Sequence, residues 1–380
     1  MSKYKKKLIF FSTSRSDFDL QKGLILKLQK KFNCKLICGP QHFYKNSGYS
    51  YTDVSKSGIK NIKKLISRPD NKKTILLNNF FFENFSKEIN LYKPDLACLF
   101  GDRSEILIAA FNLYFQNVKI VHFHGGEVTH GSKDDGYRHA ISKLSDFHIV
   151  TTVEHKKRLI QLGEYKKNIF NFGSLSLDEK QIKDKKNKVF FEKKFKTKLN
   201  KFNYLVTLHP DKTNSKKNYE TFFLALSKVK DTNYYITSPN LDPGSNLIRE
   251  LILLYSNKSN FFNIKNLGTN YFNFLNFMNG VIGNSSSGIS EVPSLKKITI
   301  NVGARQSGRP MAKSIICTDY SLNEIKNAIN SSNSLRFKKD LKCSKNFFYK
   351  KNAVGNSLKV IEKILKNEIP SNKKFNDLNF

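Results

Sequence analysis

The chain has 380 residues, and its 66 Lys+Arg against 31 Asp+Glu leave a formal net charge of +35. This length predicts two domains, each able to bury a core. A hydrophobic share of 39%, with 32 Phe, excludes a disordered basic tail, and no uncharged apolar run nears the ~18 residues of a membrane-spanning helix.

The charge invites a nucleic-acid reading, because phosphate neutralisation dominates such binding. The lysines are dispersed, however, apart from the runs Lys5 to Lys7, Lys180 to Lys201 and Lys338 to Lys351. The chain is rich in Lys, Asn, Ile and Phe, residues with A/T-rich codons, so base composition alone raises Lys. No helix-turn-helix, zinc-finger or RNA-module pattern accompanies the charge. The expectation is no nucleic-acid partner and no membrane. At the N-terminus a basic stretch meets an apolar one too short for a secretory signal, since Ser12-Thr13-Ser14-Arg15-Ser16-Asp17 turns polar at once. The five cysteines (Cys34, Cys38, Cys98, Cys317, Cys343) are odd in number and form no CxxC pair. That suits a reducing, cytoplasmic setting.

Short apolar strands alternate with amphipathic helical stretches. A strand over Lys7 to Phe11 precedes a helix over Asp17 to Lys31, where Phe18, Leu20, Leu24, Ile25 and Leu28 recur with a helical period. Strands follow at Lys35 to Cys38 and at Leu96 to Phe100, the latter running into Gly101-Asp102-Arg103. Then come a helix over Ser104 to Tyr114, a strand over Lys119 to Phe123, a Gly-rich loop, a helix from about Asp135 to Leu144 and a strand over Phe147 to Val150. This βαβ repetition predicts a parallel sheet with helices on both faces.

A second set begins near Tyr204. Strands are predicted over Tyr204 to Leu208, Tyr234 to Thr237, Gly280 to Gly283 and Ile298 to Val302. Helices are predicted over Tyr219 to Val229, over Leu247 to Tyr255 and after Ser285-Ser286-Ser287. The Lys-rich stretch Lys180 to Lys201 reads as a solvated helix or linker surface. The fold class expected is α/β, with two Rossmann-like, doubly wound domains facing a cleft: 1–178, 179–353 and a final helix over 354–380. Ligands of open α/β sheets lie outside the carboxyl ends of the strands, and the polar motifs fall there.

Gly283-Asn284-Ser285-Ser286-Ser287-Gly288-Ile289-Ser290-Glu291 follows a strand and opens a helix. Small residues let the backbone approach a ligand, and free N–H groups with serine hydroxyls suit an anion. Three serines exceed what a helix cap needs. Glu291 fits a charge at the helix start or an acceptor for a ribose.

The densest polar segment is Val121 to Arg138, and six of the eight histidines lie within 34 residues (His122, His124, His130, His139, His148, His155). By period two, His122 and His124 share one strand face. One reading is a metal site of His122, His124 and Asp134. The other is acid–base chemistry by Asp102, His124, Glu127 and Asp134. His209 follows a strand of the second half and Arg15 the first strand, and arginine suits phosphate or carboxylate.

Taken together, these stretches resemble the hydrolysing UDP-N-acetylglucosamine 2-epimerase family of sialic- and legionaminic-acid biosynthesis. The resemblance runs from about Lys7 to about Lys366. It rests on Thr13-Ser14-Arg15-Ser16-Asp17, on Gly101-Asp102-Arg103, on His124-Gly125-Gly126-Glu127 continuing to Asp134-Asp135 and Arg138 to Lys143, and on Gly283 to Gly288 continuing to Val302 to Arg309. It implies a GT-B-type fold, no cofactor, no metal, a UDP-sugar as substrate and a homodimer or higher homo-oligomer. The implied reaction is anti-elimination of UDP to a 2-acetamidoglucal, then hydration to free N-acetylmannosamine. The alternative substrate is UDP- or GDP-N,N'-diacetylbacillosamine, and a further alternative is a basic nucleic-acid-binding protein.

By resemblance Asp102 and Asp134 serve proton transfer and cation stabilisation, and His209 lies near the leaving diphosphate. Ser285, Ser286, Ser287 and Gly288 form the diphosphate loop, and Glu291 meets the ribose. Arg15 lies at the diphosphate, Arg305 near the sugar, and Asn240 among the binding residues. Many members carry Glu at the position of His124, so here either His124 or Glu127 takes that acid–base role.

Overall fold

The computed structural model describes residues 5–44, 49–66, 74–130, 134–177, 188–195, 197–211, 215–239, 244–265, 267, 270–371 and 373–377. The chain divides into two compact units. One comprises Met1–Glu127, Lys133–Asp178 and Lys350–Phe380; the other comprises Val128–Ser132 and Glu179–Tyr349.

The first unit holds β1 (Lys7–Ser12), β2 (Asn33–Cys38), β3 (Ile62–Lys64), β4 (Leu96–Phe100), β5 (Ile120–Phe123), β6 (Phe147–Val150) and β7 (Ile169–Asn171). They form one sheet in the order β3-β2-β1-β4-β5-β6-β7, parallel throughout. Its helices are α1 (Arg15–Leu28), α2 (Tyr51–Ser55), α3 (Thr74–Tyr92), α4 (Ser104–Phe115), α5 (Asp134–Leu144) and α6 (Val153–Gln161), with a C-terminal helix over Ala353–Leu365.

An all-parallel sheet is covered on both faces, so its strands are apolar on both. In β1, Leu8 and Phe10 face a core shared with Phe18 and Leu24 of α1 and with Ile361 and Ile364 of the C-terminal helix. Ile9 and Phe11 face the opposite core, with Phe81 and Phe85 of α3 and Ile106 and Ala109 of α4. Phe11 and Phe85 meet edge to face at 4.9 Å. Truncating either ring to Ala would cost about 3–5 kcal/mol.

The second unit holds β8 (Phe202–Thr207), β9 (Thr232–Thr237), β10 (Phe261–Lys265), β11 (Gly280–Gly283), β12 (Ile298–Val302) and β13 (Ile315–Thr318). The order is β10-β9-β8-β11-β12-β13, again parallel throughout. Its helices are α7 (Lys188–Phe195), α8 (Lys216–Ser227), α9 (Ser245–Tyr255), α10 (Tyr271–Asn276), α11 (Ser286–Ser290), α12 (Leu322–Ser332) and α13 (Leu335–Cys343).

Two expectations change. The Lys-rich stretch is not simply a solvated linker: α7 buries Phe191 against Tyr235, Phe274 and Phe277 of the second unit, while residues 178–187 lie outside the described residues. The helix after the serines is short, five residues of α11 followed by a 3-10 turn over Val292–Leu295. The phosphate-loop expectation therefore leans on backbone N–H groups and hydroxyls more than on a long helix dipole. No helix among the described residues is long and apolar enough to cross a membrane.

Candidate functional site

Each sheet reverses its strand order once, between β1 and β4 in the first unit and between β8 and β11 in the second. Such switch points open a crevice beyond the strand ends where ligands bind. The loops leaving those four strands carry Thr13 to Asp17, Gly101 to Arg103, His209, and Asn284 to Gly288.

In the first unit the β1 loop is stitched by Asp17. Its Oδ2 accepts from the N–H groups of Thr13 (3.1 Å) and Ser14 (3.0 Å) and from the Thr13 hydroxyl. Burial raises the Asp17 pKa, against the pull of Arg103 and Thr13. Arg15 opens α1 and places Nε 3.5 Å from Asp19 Oδ2, with its side chain 28% exposed.

The loops after β4 and β5 are tied by two buried side chains, His122 and Arg138. His122 is fully buried and held neutral; burial is the main cause, and its pKa falls to about 3. Its Nε2 lies 2.8 Å from Gly101 O, and a carbonyl only accepts, so Nε2 carries the proton. Its Nδ1 then accepts from Ser142 Oγ at 3.0 Å. This fixes the residue just before Asp102. Arg138, 1% exposed, donates to the carboxylates of Asp102 and Asp135 and to Glu127 O at 2.8 Å. Burial opposes its charge, yet Asp102, Glu127 and Asp135 push its pKa well above the ordinary value.

His124 departs from the strand pattern. β5 ends at Phe123, and His124 has φ +68°, a conformation uncommon for a residue with a side chain and frequent at functional sites. The expectation that His122 and His124 share a strand face is therefore corrected. So is the metal reading built on them: His122 spends both ring nitrogens on Gly101 and Ser142, and among the described residues no group of three His, Cys, Asp or Glu is arranged to hold a metal.

Instead, His124 Nδ1 lies 3.0 Å from Glu127 Oε1. Glu127, 4% exposed, also accepts from Thr151 Oγ1 at 3.2 Å. Thr151 Oγ1 lies 2.8 Å from His155 Nδ1. With the Thr151 proton on Glu127, His155 Nδ1–H donates to Thr151. Gly126 makes the turn possible: its φ is +74°, and a Cβ there would strike His155 O. Asp134 lies in the first turn of α5, one residue before Asp135. The sequence reading singles out Asp102, His124, Glu127 and Asp134 but assigns nothing to Arg138 or Thr151. The one available signal is the three-residue spacing of Asp135 and Arg138 on a helix.

In the second unit the β11 loop passes through Gly283, whose φ of +136° and close approach to Thr207 O admit no side chain. Asn284 follows, fully buried. Ser285 occupies the N-cap position of α11 without a side-chain capping hydrogen bond, Ser286 is exposed, Ser287 is half-buried and its hydroxyl meets Tyr271 OH, and Gly288 packs under Thr299. Glu291 is half-buried at the end of α11. His209 is half-buried after β8. Arg305 donates through Nη1 to Asn284 O at 3.2 Å. A cavity of about 580 Å³ opens beside Arg305, lined also by Asp211, Asn218, Ser307, Tyr320 and His130. Tyr320 OH donates to Asp211 Oδ2 at 2.7 Å, and burial with the Asp211 charge pushes its pKa up. Asn240 lies outside the described residues.

Strand order and loop placement are those of two-sheet, GT-B-type nucleotide-sugar enzymes. The structure matches that of Neisseria meningitidis UDP-GlcNAc 2-epimerase bound to UDP-GlcNAc with a TM-score of 0.80 at 18% identity, covering 95% of this chain and 100% of that one. A family model for UDP-N-acetylglucosamine 2-epimerase matches residues 25–362, and the chain belongs to that family. The GDP/UDP-N,N'-diacetylbacillosamine 2-epimerase (hydrolyzing) of Campylobacter jejuni is 34% identical over 348 residues, 88% of this chain and 90% of that protein. The polysialic acid biosynthesis protein P7 of Escherichia coli is 30% identical over 390 residues, 98% of each.

Proposed function

We propose that this protein is a cytoplasmic, hydrolysing 2-epimerase of a UDP-linked 2-acetamido sugar, releasing UDP and the free 2-epimer without metal or redox cofactor. The observation that carries the reading is the His124–Glu127 pair beside a carboxylate, Asp102, held on a buried guanidinium. A C2 proton is weakly acidic, so C1–O cleavage must run ahead and build positive charge at C1. Asp102, paired with Arg138, stabilises that charge. His124, oriented by Glu127, exchanges the C2 proton. Inversion at C2 requires proton delivery on the opposite face, and Asp134 is the second proton-transfer group.

Ser285, Ser286, Ser287 and Gly288 take the diphosphate with backbone N–H groups and hydroxyls. His209 and Arg15 neutralise it as it leaves. Glu291 accepts from the ribose, and Arg305 with its cavity serves the sugar. The +35 charge raises the encounter rate with a dianionic substrate, an effect that salt weakens.

The 34% identity to the Campylobacter jejuni enzyme favours UDP-N,N'-diacetylbacillosamine as the sugar nucleotide. The family model, described as UDP-N-acetylglucosamine 2-epimerase, supports UDP-N-acetylglucosamine as the other candidate. Incubating the protein with each nucleotide sugar and following released UDP or GDP tests both. The preferred substrate is the one with the higher kcat/KM, and no nucleotide release from any of them would defeat the reading. A homo-oligomer with no nucleic-acid partner completes the proposal; light scattering and a gel-shift series at physiological salt check these two points.

A further inference from the structure

Asn284 spends its side chain mainly on one neighbour, with a longer contact of 3.5 Å from Nδ2 to Tyr320 OH. Its Oδ1 accepts the His209 N–H at 2.8 Å, and its Nδ2 donates to His209 O at 2.8 Å. The amide thus pairs with the His209 peptide as a neighbouring strand would, just where the β8 and β11 ladders have ended. The rest of the residue is equally engaged. Its N–H donates to Thr207 O at 3.1 Å. Its O accepts from Arg305 Nη1 at 3.2 Å and Gln306 Nε2 at 2.9 Å. One fully buried residue therefore joins the loops after β8, β11 and β12.

A plain structural role for a buried Asn asks only that its polar atoms be satisfied somewhere. Here both amide functions converge on the backbone N–H and C=O of one residue, the histidine assigned to the leaving diphosphate under Proposed function. A residue held at both its N–H and its C=O has little freedom in φ and ψ, so its imidazole has a fixed origin. Geometry held this closely is what a group acting on a leaving oxygen needs, since small displacements cost much of its effect.

We propose that Asn284 is the positioning residue for His209, setting its imidazole relative to the serine loop that Asn284 itself opens. This rests on the reading of His209 given under Proposed function. Asn284→Ala removes both contacts. Asn284→Asp keeps an acceptor for the His209 N–H but turns an oxygen toward His209 O, where the amide had donated.

The test is a double-mutant cycle on kcat, with UDP affinity measured by equilibrium titration alongside. Asn284→Ala is expected to lower kcat roughly 10- to 100-fold, the loss of two directed hydrogen bonds, with KM changed much less. Asn284→Asp should not rescue it. Decisively, Asn284→Ala in a His209→Ala background should cause no further loss. Losses that multiply would overturn the proposal while leaving the His209 reading intact, because Asn284 would then act on its own account. A His209→Ala enzyme at the wild-type rate would overturn both. If the Ala variant does not fold, the isosteric Asp variant carries the same cycle.

Discussion

His124 Nδ1 and Glu127 Oε1 meet at 3.0 Å across a turn that puts His124 at φ +68°. A carboxylate only accepts, so Nδ1 carries the hydrogen and Nε2 is left as the basic nitrogen. Thr151 and His155 continue the chain behind Glu127, holding its carboxylate from the buried side. The imidazole is thus oriented by a third group, as acid–base catalysts commonly are.

His124→Ala should lower kcat by about 100-fold or more, the worth of a general acid–base group, with UDP affinity retained. Glu127→Gln keeps the shape but cannot accept from Nδ1–H with full charge. It should cost roughly 10- to 100-fold. Steady-state kinetics with UDP titration checks both. A Glu127→Gln enzyme of normal kcat would remove Glu127 from the orienting role.

Arg138 is the shared cation of Asp102 and Asp135. Arg138→Met leaves both carboxylates and Glu127 O without it. Removing one partner of a buried pair is strongly destabilising, discounted here because Asp102 and Asp135 are about a quarter exposed. A loss of about 2–3 kcal/mol in urea unfolding is expected, together with loss of turnover. An unchanged unfolding midpoint would contradict this.

His122 and His42 are buried and neutral, with pKa values lowered to about 3 and about 4, burial being the main cause in each. The unfolded chain takes up protons below about 6.5 where the folded one does not. Their contribution is therefore present above pH 6.5 and is lost as pH falls toward 4 and 3. Each group should steepen the fall by about 1.4 kcal/mol per pH unit in that window. Urea midpoints at pH 7, 6 and 5 measure it. His122→Gln should lose about one such increment of slope, and an identical slope would refute the assignment.

Ser286→Ala removes an exposed hydroxyl from the loop after β11. It should raise the UDP dissociation constant about 10-fold, the worth of a hydrogen bond to a charged oxygen, and barely touch kcat. A kcat effect without an affinity effect would move Ser286 out of the diphosphate loop.

Much of the fold is legible where burial leaves a strand no choice. Leu96–Phe100, Phe147–Val150, Gly280–Gly283 and Ile298–Val302 are buried along their whole length and mostly apolar, and their bounds follow from sequence. β3 is a three-residue edge strand with two lysines and no alternation, and β10 is a short edge strand whose register against β9 shifts between Asn263 and Lys265. The site residues that touch a ligand by resemblance are polar and loop-borne, so they stand out. Those that hold them do not. Arg138 reaches Asp102 across 36 positions, and Asn284 reaches His209 across 75. Nothing local marks either pairing. The left-handed backbone of His124 is likewise invisible to a period-two reading, because the sidedness of a strand ends where the strand does.

The most direct test of the central claim runs the reaction with UDP-N,N'-diacetylbacillosamine and UDP-N-acetylglucosamine in D2O enriched in 18O, and reads the products by NMR and mass spectrometry. Elimination followed by hydration predicts free UDP without 18O, and a free 2-epimeric sugar bearing deuterium at C2 and 18O at C1. A product that keeps its original C2 hydrogen, or a sugar that stays attached to its nucleotide, would contradict it.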